Sequence, residues 1–271
     1  MTLTYNDPVG LSRTIESLKP LSGSKSLGSW EHVVVDSSPS MNTAILDLPG
    51  WPLTRVESPP RGIYPAFNLG LKSVSGDLVW FLNGGDQLLS LENLVKAQTL
   101  FIQNPTIEIV AAPVKLFRGG KYTYDSKVSG DFSYNIIGQN GLCHQGILYR
   151  KTVFEKVGFY DESFKLAGDY EHHFRCLSAG VKFAVSDKPF AQYNRDGRSD
   201  QFEKVFAEFQ RVWAQNSQNL TRKIRISNLS LGYFYLLRTR LMRSKILKPF
   251  SRPLKEVWYF LNRSAQGRLR R

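Results

Sequence analysis

Cysteine and long apolar runs are both scarce in this sequence of 271 residues. Only Cys143 and Cys176 are present, and nothing in their spacing indicates a disulfide framework or a zinc site. No apolar stretch approaches the roughly 18 residues that a membrane-spanning helix needs. The first residues, MTLTYNDPVG, lack the basic and apolar regions of a secretory signal. We therefore expect a cytoplasmic protein without a transmembrane helix.

Acidic residues are almost absent from the last part of the chain. Residues 221–271 contain 14 Lys or Arg and one acid, Glu256, so this segment carries the whole net charge of +13. We expect a main domain at residues 1–220 and a basic, helical appendage at residues 221–271. Apolar residues recur in the appendage at helical spacing: Phe234, Leu237 and Leu241, then Leu254, Val257, Trp258 and Leu261.

Three partners suit such an appendage. Basic amphipathic helices bind anionic membrane surfaces, which would make the protein peripheral on the inner face of the plasma membrane. The helices could instead pack on the core or on a second subunit, with their charges solvated. Nucleic acid is the least favoured partner, because no recognisable nucleic-acid motif accompanies the basic residues.

Strands alternate with helices in the first half of the chain. MTLTYN, EHVVVDSS, LVWFL and IEIVAAPV are predicted strands, and helices are predicted after Asp7, within RGIYPAFNLGLKS and at about 91–103. This alternation predicts an α/β fold with a mostly parallel, Rossmann-type sheet flanked by helices. Later segments predict a Gly-Gly hairpin at KLFRGGKYTY, helices near KTVFEKVG and Asp169, and one strand over VKFAVSDKPFAQYN.

Two aspartates directly follow predicted strands. In doubly wound sheets ligands bind beyond the carboxyl ends of the strands, so we expect Asp36 and Asp86 on that rim. The second one ends the run WFLNGGD, where Asn83 and Gly85 occupy positions that further carboxylates could have held. One carboxylate suffices for Mg²⁺ when phosphate oxygens and waters complete its octahedron. Asn-Gly-Gly-Asp is also ordinary turn chemistry.

Three blocks in order resemble a known family. VVVDSSPS, PPRGIYPAFNLGLKSVSGDLVWFLNGGD and GLCHQGILYRKTVFEKVGFYDESFKLAGDYEHHFRCLSAG are similar to blocks of family 2 glycosyltransferases with the GT-A fold, in particular the bacterial group with a GIYDAMNKG-type block. The resemblance covers about residues 2–200. It implies inverting transfer of a sugar from a nucleotide-diphosphate donor, with a UDP-sugar expected, to a hydroxyl of a saccharide or lipid-linked saccharide. It further implies bacterial polysaccharide or glycoconjugate synthesis and a divalent cation, Mg²⁺ or Mn²⁺.

The resemblance also implies residues that hold the donor. Asp36 matches the position that contacts the nucleotide base, although Asp before two serines also caps a turn. Arg61 matches a basic position near the nucleotide, or is a solvated loop residue. Asn68 would fix the loop that holds the donor, or bond its own helix. Asn83 stands at an earlier acidic position of the motif, and Pro65 replaces an aspartate that is usual in the block.

The remaining candidates concern the diphosphate and the chemistry. Asp86 matches the last acid of the metal-binding motif. Asp169 matches the catalytic base, with Glu171 and Asp161 as weaker substitutes, although Asp is also simply a good helix starter. His144, in a His-Gln pair, would face the acceptor or the pyrophosphate, or satisfy a core hydrogen bond. Arg198, with Arg195 in NRDGRSD, suits phosphate capture or an exposed turn.

Two further expectations follow. The depleted NGGD motif keeps open a non-catalytic descendant of the GT-A fold that acts as a membrane-bound or scaffold interaction protein. In addition, only Met1 to Thr4 remain for what should be a central strand, so we expect the true start to lie upstream.

Overall fold

The computed structural model describes residues 1–39, 50–133, 135–136, 142–194 and 202–216. The basic segment 221–271 and the candidate Arg198 lie outside the described residues. None of the helices in the described part of the chain has both the length and the apolar character required to cross a membrane.

Strands and helices alternate along the described chain. The strands are β1 (Thr2–Thr4), β2 (His32–Asp36), β3 (Leu53–Glu57), β4 (Leu78–Trp80), β5 (Gln87–Leu88), β6 (Ile109–Ala111), β7 (Val114–Arg118), β8 (Lys121–Asp125), β9 (Ile147–Arg150), β10 (Phe183–Val185) and β11 (Ala191–Asn194). The helices are α1 (Pro8–Leu18), α2 (Ile63–Ser73), α3 (Leu91–Gln103), α4 (Thr152–Val157), α5 (Gly168–Ser178) and α6 (Phe202–Gln215).

The main sheet has the strand order β3-β2-β1-β4-β9-β6-β10. β1, β2 and β3 pair in parallel, and β9 pairs antiparallel with both β4 and β6. Backbone hydrogen bonds from Leu82 to Met1 (3.0 Å) and from Gly84 to Leu3 (2.9 Å) join β1 to the end of β4. Among the described strands of this sheet only β9 runs against the others. The predicted α/β class with a mostly parallel sheet is therefore confirmed.

A smaller sheet has the order β5-β11-β7-β8. The hairpin between β7 and β8 turns at Gly119 and Gly120. Their φ angles of +56° and +73° lie in the left-handed region, which favours glycine because glycine has no Cβ. This confirms the predicted Gly-Gly hairpin. Side chains of α3, β6, β7 and β11 share one apolar core, which includes Phe101, Val110 and Leu116.

Two predicted strands were wrong in their extent. IEIVAAPV divides at Ala112–Pro113 into β6 of the main sheet and β7 of the smaller sheet, and VKFAVSDKPFAQYN likewise divides into β10 and β11. Pro113 lacks an N–H for a continuous ladder, and Ala112 donates instead to the carbonyl of Gly146 at 2.8 Å. β3 was also missed, because its sequence LTRVE has only two apolar residues, Leu53 and Val56, which are three apart and do not alternate.

The predicted helix starts are confirmed where they could be argued from capping. The Asp7 carboxylate accepts from the N–H of Gly10 at 2.8 Å, and Pro8 occupies the first turn of α1. Pro65 lies in the first turn of α2, where its missing N–H costs nothing. α5 begins at Gly168, so that Asp169 lies in its first turn.

Candidate active site

The candidate site lies at the carboxyl edge of the parallel strands. The segment Asn83–Asp86 follows β4 and forms a tight turn, in which the N–H of Asp86 donates to the carbonyl of Asn83 at 2.9 Å. Thr14 of α1 braces this turn: its hydroxyl donates to the carbonyl of Asp86 at 2.7 Å and accepts from the N–H of Gly85 at 3.0 Å. Turn chemistry and α1 together fix the direction of the Asp86 side chain.

Asp86 is a buried carboxylate with two hydrogen bonds. Its Oδ1 accepts from the backbone N–H of Asn194 at 2.9 Å, and its Oδ2 accepts from the side-chain amide of Gln145 at 2.9 Å. Burial raises the pKa of Asp86 to about 6, although both hydrogen bonds and the charge of His144 favour the ionised form. Keeping Asp86 ionised without a nearby cation therefore costs free energy.

The oxygen atoms around Asp86 suit a hard divalent cation. The amide oxygens of Asn83 and Asn194 are buried and have no hydrogen-bond partner among the described residues. Mg²⁺ and Mn²⁺ prefer carboxylate and carbonyl oxygens over nitrogen or sulfur. Within the described ranges no three His, Cys, Asp or Glu residues group as metal ligands. A cation here would thus depend on one carboxylate, two amides and oxygen atoms supplied by a bound diphosphate.

Asp169 is held in a different environment. Its Oδ1 accepts from the hydroxyl of Tyr64 at 3.3 Å and from the N–H of Tyr170 at 2.9 Å, and its side chain stays 25% exposed. Burial acts to raise the pKa of Asp169, but His144, the charge of His173 and the N–H of Tyr170 outweigh it, so the pKa lies below its ordinary value. Asp169 is ionised at neutral pH.

His144 and Gln145 together connect the two carboxylates. His144 begins a short 3-10 helix (His144–Gly146) that directly precedes β9. Its Nδ1 lies 3.6 Å from Oδ2 of Asp169, and its Nε2 lies 3.1 Å from the amide nitrogen of Asn83. The next residue, Gln145, donates to Asp86. Consecutive side chains therefore reach the two aspartates.

The other predicted donor residues are not joined to this network by described contacts. Asp36 ends β2, and its carboxylate accepts from the N–H of Ser38 at 2.8 Å, which is the turn role considered from the sequence. Arg61 is exposed on the loop before α2. The side-chain amide of Asn68 bonds the loop after α4. It donates to the carbonyl of Tyr160 at 2.9 Å and to the carboxylate of Glu162 at 3.0 Å, and it accepts from the N–H of Tyr160 at 3.0 Å.

Tyr64 and Glu208 were missed from the sequence, and Gln145 was noted only as the partner of His144 in the His-Gln pair. Tyr64 and Gln145 bond the two aspartates across separations of 105 and 59 residues. Glu208 of α6 accepts from three backbone N–H groups that lead into α5, those of Lys165 (2.8 Å), Leu166 (2.9 Å) and Ala167 (2.7 Å). Tyr64 and Gln145 lie beside motif residues, which was a usable signal, whereas nothing local marks Glu208.

A large cavity lies away from this network. It has a volume of about 660 Å³ and is bounded by the starts of β1, β2 and β4, with Trp30, His32 and Phe101 among its walls. None of the candidate residues that the structure describes lines it. Because it opens at the amino ends of the parallel strands, it is separate from the rim where ligands of such sheets bind.

The sequence is similar to bacterial glycosyltransferases. No family model matches it. An uncharacterized glycosyltransferase of Mycobacterium tuberculosis (strain H37Rv) is 28% identical over 180 residues, which is 63% of this chain and 65% of the relative. A PGL/p-HBAD biosynthesis glycosyltransferase of Mycobacterium bovis (strain BCG / Pasteur 1173P2) is 24% identical over 118 residues, 44% of each chain. The chain thus spans less than two thirds of these relatives.

Solved structures share the fold. S. aureus TarS superposes with a TM-score of 0.64 at 17% identity over 90% of this chain and 45% of that one. A fragment of TarS in complex with UDP-GlcNAc gives a TM-score of 0.58 at 15% identity, covering 93% of this chain and 68% of the fragment. The chain therefore has a GT-A-like α/β fold and is similar in sequence to proteins named glycosyltransferases.

Proposed function

We propose that the protein is an inverting glycosyltransferase that moves a sugar from a nucleotide-diphosphate donor to a hydroxyl of a saccharide or lipid-linked saccharide. One observation carries the proposal: two carboxylates at one rim have pKa values shifted in opposite directions. Asp169, which stays ionised and partly exposed, suits a general base, and Asp86, buried among amide oxygens, suits a cation. Bacterial polysaccharide or glycoconjugate synthesis is the proposed setting.

A single displacement divides the work between these groups. Asp169 takes the proton of the acceptor hydroxyl, and the acceptor oxygen attacks the anomeric carbon from the face opposite the diphosphate. Asp86 would hold a Mg²⁺ or Mn²⁺ ion, with Asn83 and Asn194 beside it. When bound, such an ion neutralises charge on the diphosphate. Asp36, at the end of β2, and Arg61, on the loop before α2, are proposed to bind the nucleotide, and Arg198 the diphosphate.

The donor is tested by thermal stabilisation. We propose a UDP-sugar because the fold is shared with a protein crystallised with UDP and UDP-GlcNAc. UDP-, GDP- and dTDP-sugars, each with and without Mn²⁺, should be compared by melting temperature and by release of nucleoside diphosphate. Stabilisation by a UDP-sugar supports the proposal. If no nucleotide sugar stabilises the protein, the second candidate, a non-catalytic descendant, is favoured; the single carboxylate of NGGD motivates it.

The base is tested by Asp169→Asn. Removing a general base costs about a hundredfold to ten-thousandfold in rate, so turnover should fall by this much while donor stabilisation persists. Asp161→Asn is the matched control: Asp161 was a weaker substitute for the base, and it is exposed beside Ser163 and Arg211. Turnover of Asp169→Asn equal to that of the wild type would move the base elsewhere.

A further inference from the structure

We propose that Tyr64 is a positioning residue that holds Oδ1 of Asp169, so that the proton of the acceptor hydroxyl goes to Oδ2. The inference rests on the proposed function and deepens it, because it names the reacting atom and a residue that acts through the base. Nothing in the sequence motifs distinguished the two oxygens of Asp169 or gave Tyr64 a part in the reaction.

The two carboxylate oxygens have different partners. Oδ1 accepts two hydrogen bonds from the protein, one from the Tyr64 hydroxyl and one from the N–H of Tyr170. Among the described residues, Oδ2 lies 3.6 Å from Nδ1 of His144, which is too long for a good hydrogen bond. A carboxylate oxygen can accept about two hydrogen bonds, so Oδ1 is filled and Oδ2 retains room for the acceptor.

The position of the Tyr64 hydroxyl is fixed by packing. Tyr64 is 3% exposed. Its ring packs against those of Phe67 and Tyr160, with distances of 6.3 Å and 5.6 Å between ring centroids. The start of α5 passes so close that a Cβ on Gly168 would lie 2.8 Å from the Tyr64 ring. Glycine at position 168 therefore permits the close approach that brings Asp169 to the hydroxyl.

Tyr64 acts as a hydrogen-bond donor and does not take part in proton transfer. Burial, together with the charge of Asp169, raises the pKa of Tyr64 well above its ordinary value, so the phenol stays protonated. By donating to Oδ1 it stabilises the ionised carboxylate and stops the group from rotating. Rotation would exchange the two oxygens and misdirect the free lone pair.

The chemical step involves the acceptor hydroxyl, Oδ2 of Asp169 and the bond between the anomeric carbon and the diphosphate. The O–H bond of the acceptor breaks and its proton forms a bond to Oδ2 of Asp169. The electron pair of the acceptor oxygen forms the new bond to the anomeric carbon. The bond between that carbon and the diphosphate oxygen breaks, and the diphosphate leaves with the pair. Oδ2, on a side chain that is 25% exposed, afterwards returns its proton to water.

Tyr64→Phe tests the assignment because it removes one hydroxyl and keeps the ring. We expect kcat to fall about tenfold to a hundredfold with the KM for the donor unchanged, since the buried Tyr64 acts through its hydrogen bond to Asp169. The apparent pKa on the acid side of the pH profile of kcat/KM should rise by about one unit, because the carboxylate loses a hydrogen-bond donor that favours its ionised form. The other groups facing Asp169 stay in place: His144, His173, Tyr149, Tyr160 and the N–H of Tyr170.

Tyr160→Phe is the matched control. Tyr160 belongs to the same buried ring cluster, but its hydroxyl makes no hydrogen bond with Asp169. It should keep kcat and the pH profile of the wild type. Gly168→Ala gives a second, independent variant, since the added methyl group displaces the Tyr64 ring, and it should reproduce the effects of Tyr64→Phe. Melting temperatures show whether each variant is folded.

The outcomes separate this inference from the proposed function. If Tyr64→Phe and Tyr160→Phe have the same kcat and the same pH profile while Asp169→Asn is inactive, Tyr64 has no positioning role and the base assignment stands. If Asp169→Asn keeps its turnover, the base lies elsewhere and the positioning role of Tyr64 falls with it. If the wild type turns over no nucleotide sugar, the proposed function itself fails.

Discussion

Asp86 illustrates how a residue proposed to bind a cation can oppose stability. Its pKa in the folded protein is raised from 3.8 to about 6, so the folded state binds a proton more tightly than the unfolded chain. The sign follows directly: the contribution of Asp86 to stability is fully present below pH 3.8 and is lost as the pH rises through about 6. At neutral pH the protein carries a buried charge that a bound cation would compensate.

Asp86→Asn should therefore stabilise the protein at neutral pH while removing the proposed cation site. The neutral amide keeps one oxygen for the N–H of Asn194, and Gln145 can turn its own oxygen toward the new amide. We expect a gain of about 1 to 3 kcal/mol in the free energy of unfolding at pH 7.5, shrinking at pH of about 5. Thermal unfolding of the apo protein at both pH values measures the difference.

A surface carboxylate with the opposite pKa shift is the control. The pKa of Asp161 is lowered, because its hydrogen bonds with Ser163 and the charge of Arg211 outweigh the effect of burial. Asp161→Asn should therefore slightly lower stability at pH 7.5. An Asp86→Asn protein that is less stable than the wild type at pH 7.5 would show that the two hydrogen bonds to Asp86 outweigh the cost of burying its charge.

Several residues of the candidate site could be predicted from the sequence. Asp86, Asp169 and His144 were found because they stand in ordered motifs, and the structure joins them through contacts of His144 and Gln145. The hydrogen bond between Tyr64 and Asp169 spans 105 residues, and no local pattern encodes such a pairing. The sequence could therefore name the proposed reacting groups but not the residues that bond them from a distance.

Among the elements, α6 is bonded to the segment that precedes the proposed base, Asp169. Glu208 accepts three backbone N–H groups from the segment that enters α5, and Trp213 donates to the hydroxyl of Tyr170 at 2.9 Å. These contacts fasten α6 to the residues immediately before Asp169. Buried backbone N–H groups need a partner, and a carboxylate is the strongest acceptor available.

Glu208→Ala should weaken both stability and turnover. Loss of charged hydrogen bonds of this kind costs about 2 kcal/mol, which lowers the melting temperature by about 4 to 8 °C for a domain of this size. Turnover should fall because the start of α5 is no longer fixed. Glu155→Ala, on the exposed side of α4, is the control and should resemble the wild type. Equal melting temperatures for the two variants would refute the anchoring role of Glu208.

Two segments that were each predicted as one strand form two strands in different sheets. Apolar runs such as IEIVAAPV correctly predicted extended chain, since Ile109 and Val114 both lie in buried strands. An apolar run in a sequence does not show at which residue the chain leaves one sheet and enters another. Pro113 was the available signal, because proline interrupts a ladder of backbone hydrogen bonds.

At the scale of the whole molecule, charge is divided between two regions. Residues 1–220 carry 22 basic and 22 acidic residues, while residues 221–271 carry the entire net charge of +13. We propose that the basic segment attaches the protein to an anionic membrane surface. A lipid-linked acceptor would then be presented to Asp169 at the surface where such acceptors reside.

This proposal predicts binding that depends on lipid charge and on salt. The full chain should bind vesicles that contain anionic phosphatidylglycerol and not vesicles of phosphatidylcholine alone. Binding should be strong at about 50 mM NaCl and largely lost at about 500 mM, because salt screens the attraction. Co-sedimentation of the protein with vesicles measures both dependences.

Two charge variants with equal net change decide where the contact lies. Replacing Arg238, Arg240, Arg243 and Lys245 by Gln should weaken binding about a hundredfold to a thousandfold, since each basic residue near the surface contributes about 1 kcal/mol. Replacing four exposed basic residues of the first 220, namely Arg13, Lys25, Lys72 and Lys121, removes the same charge and should leave binding within about threefold of the wild type. Equal losses in both variants would mean that binding responds only to total charge, and the basic segment would then have no specific part in membrane attachment.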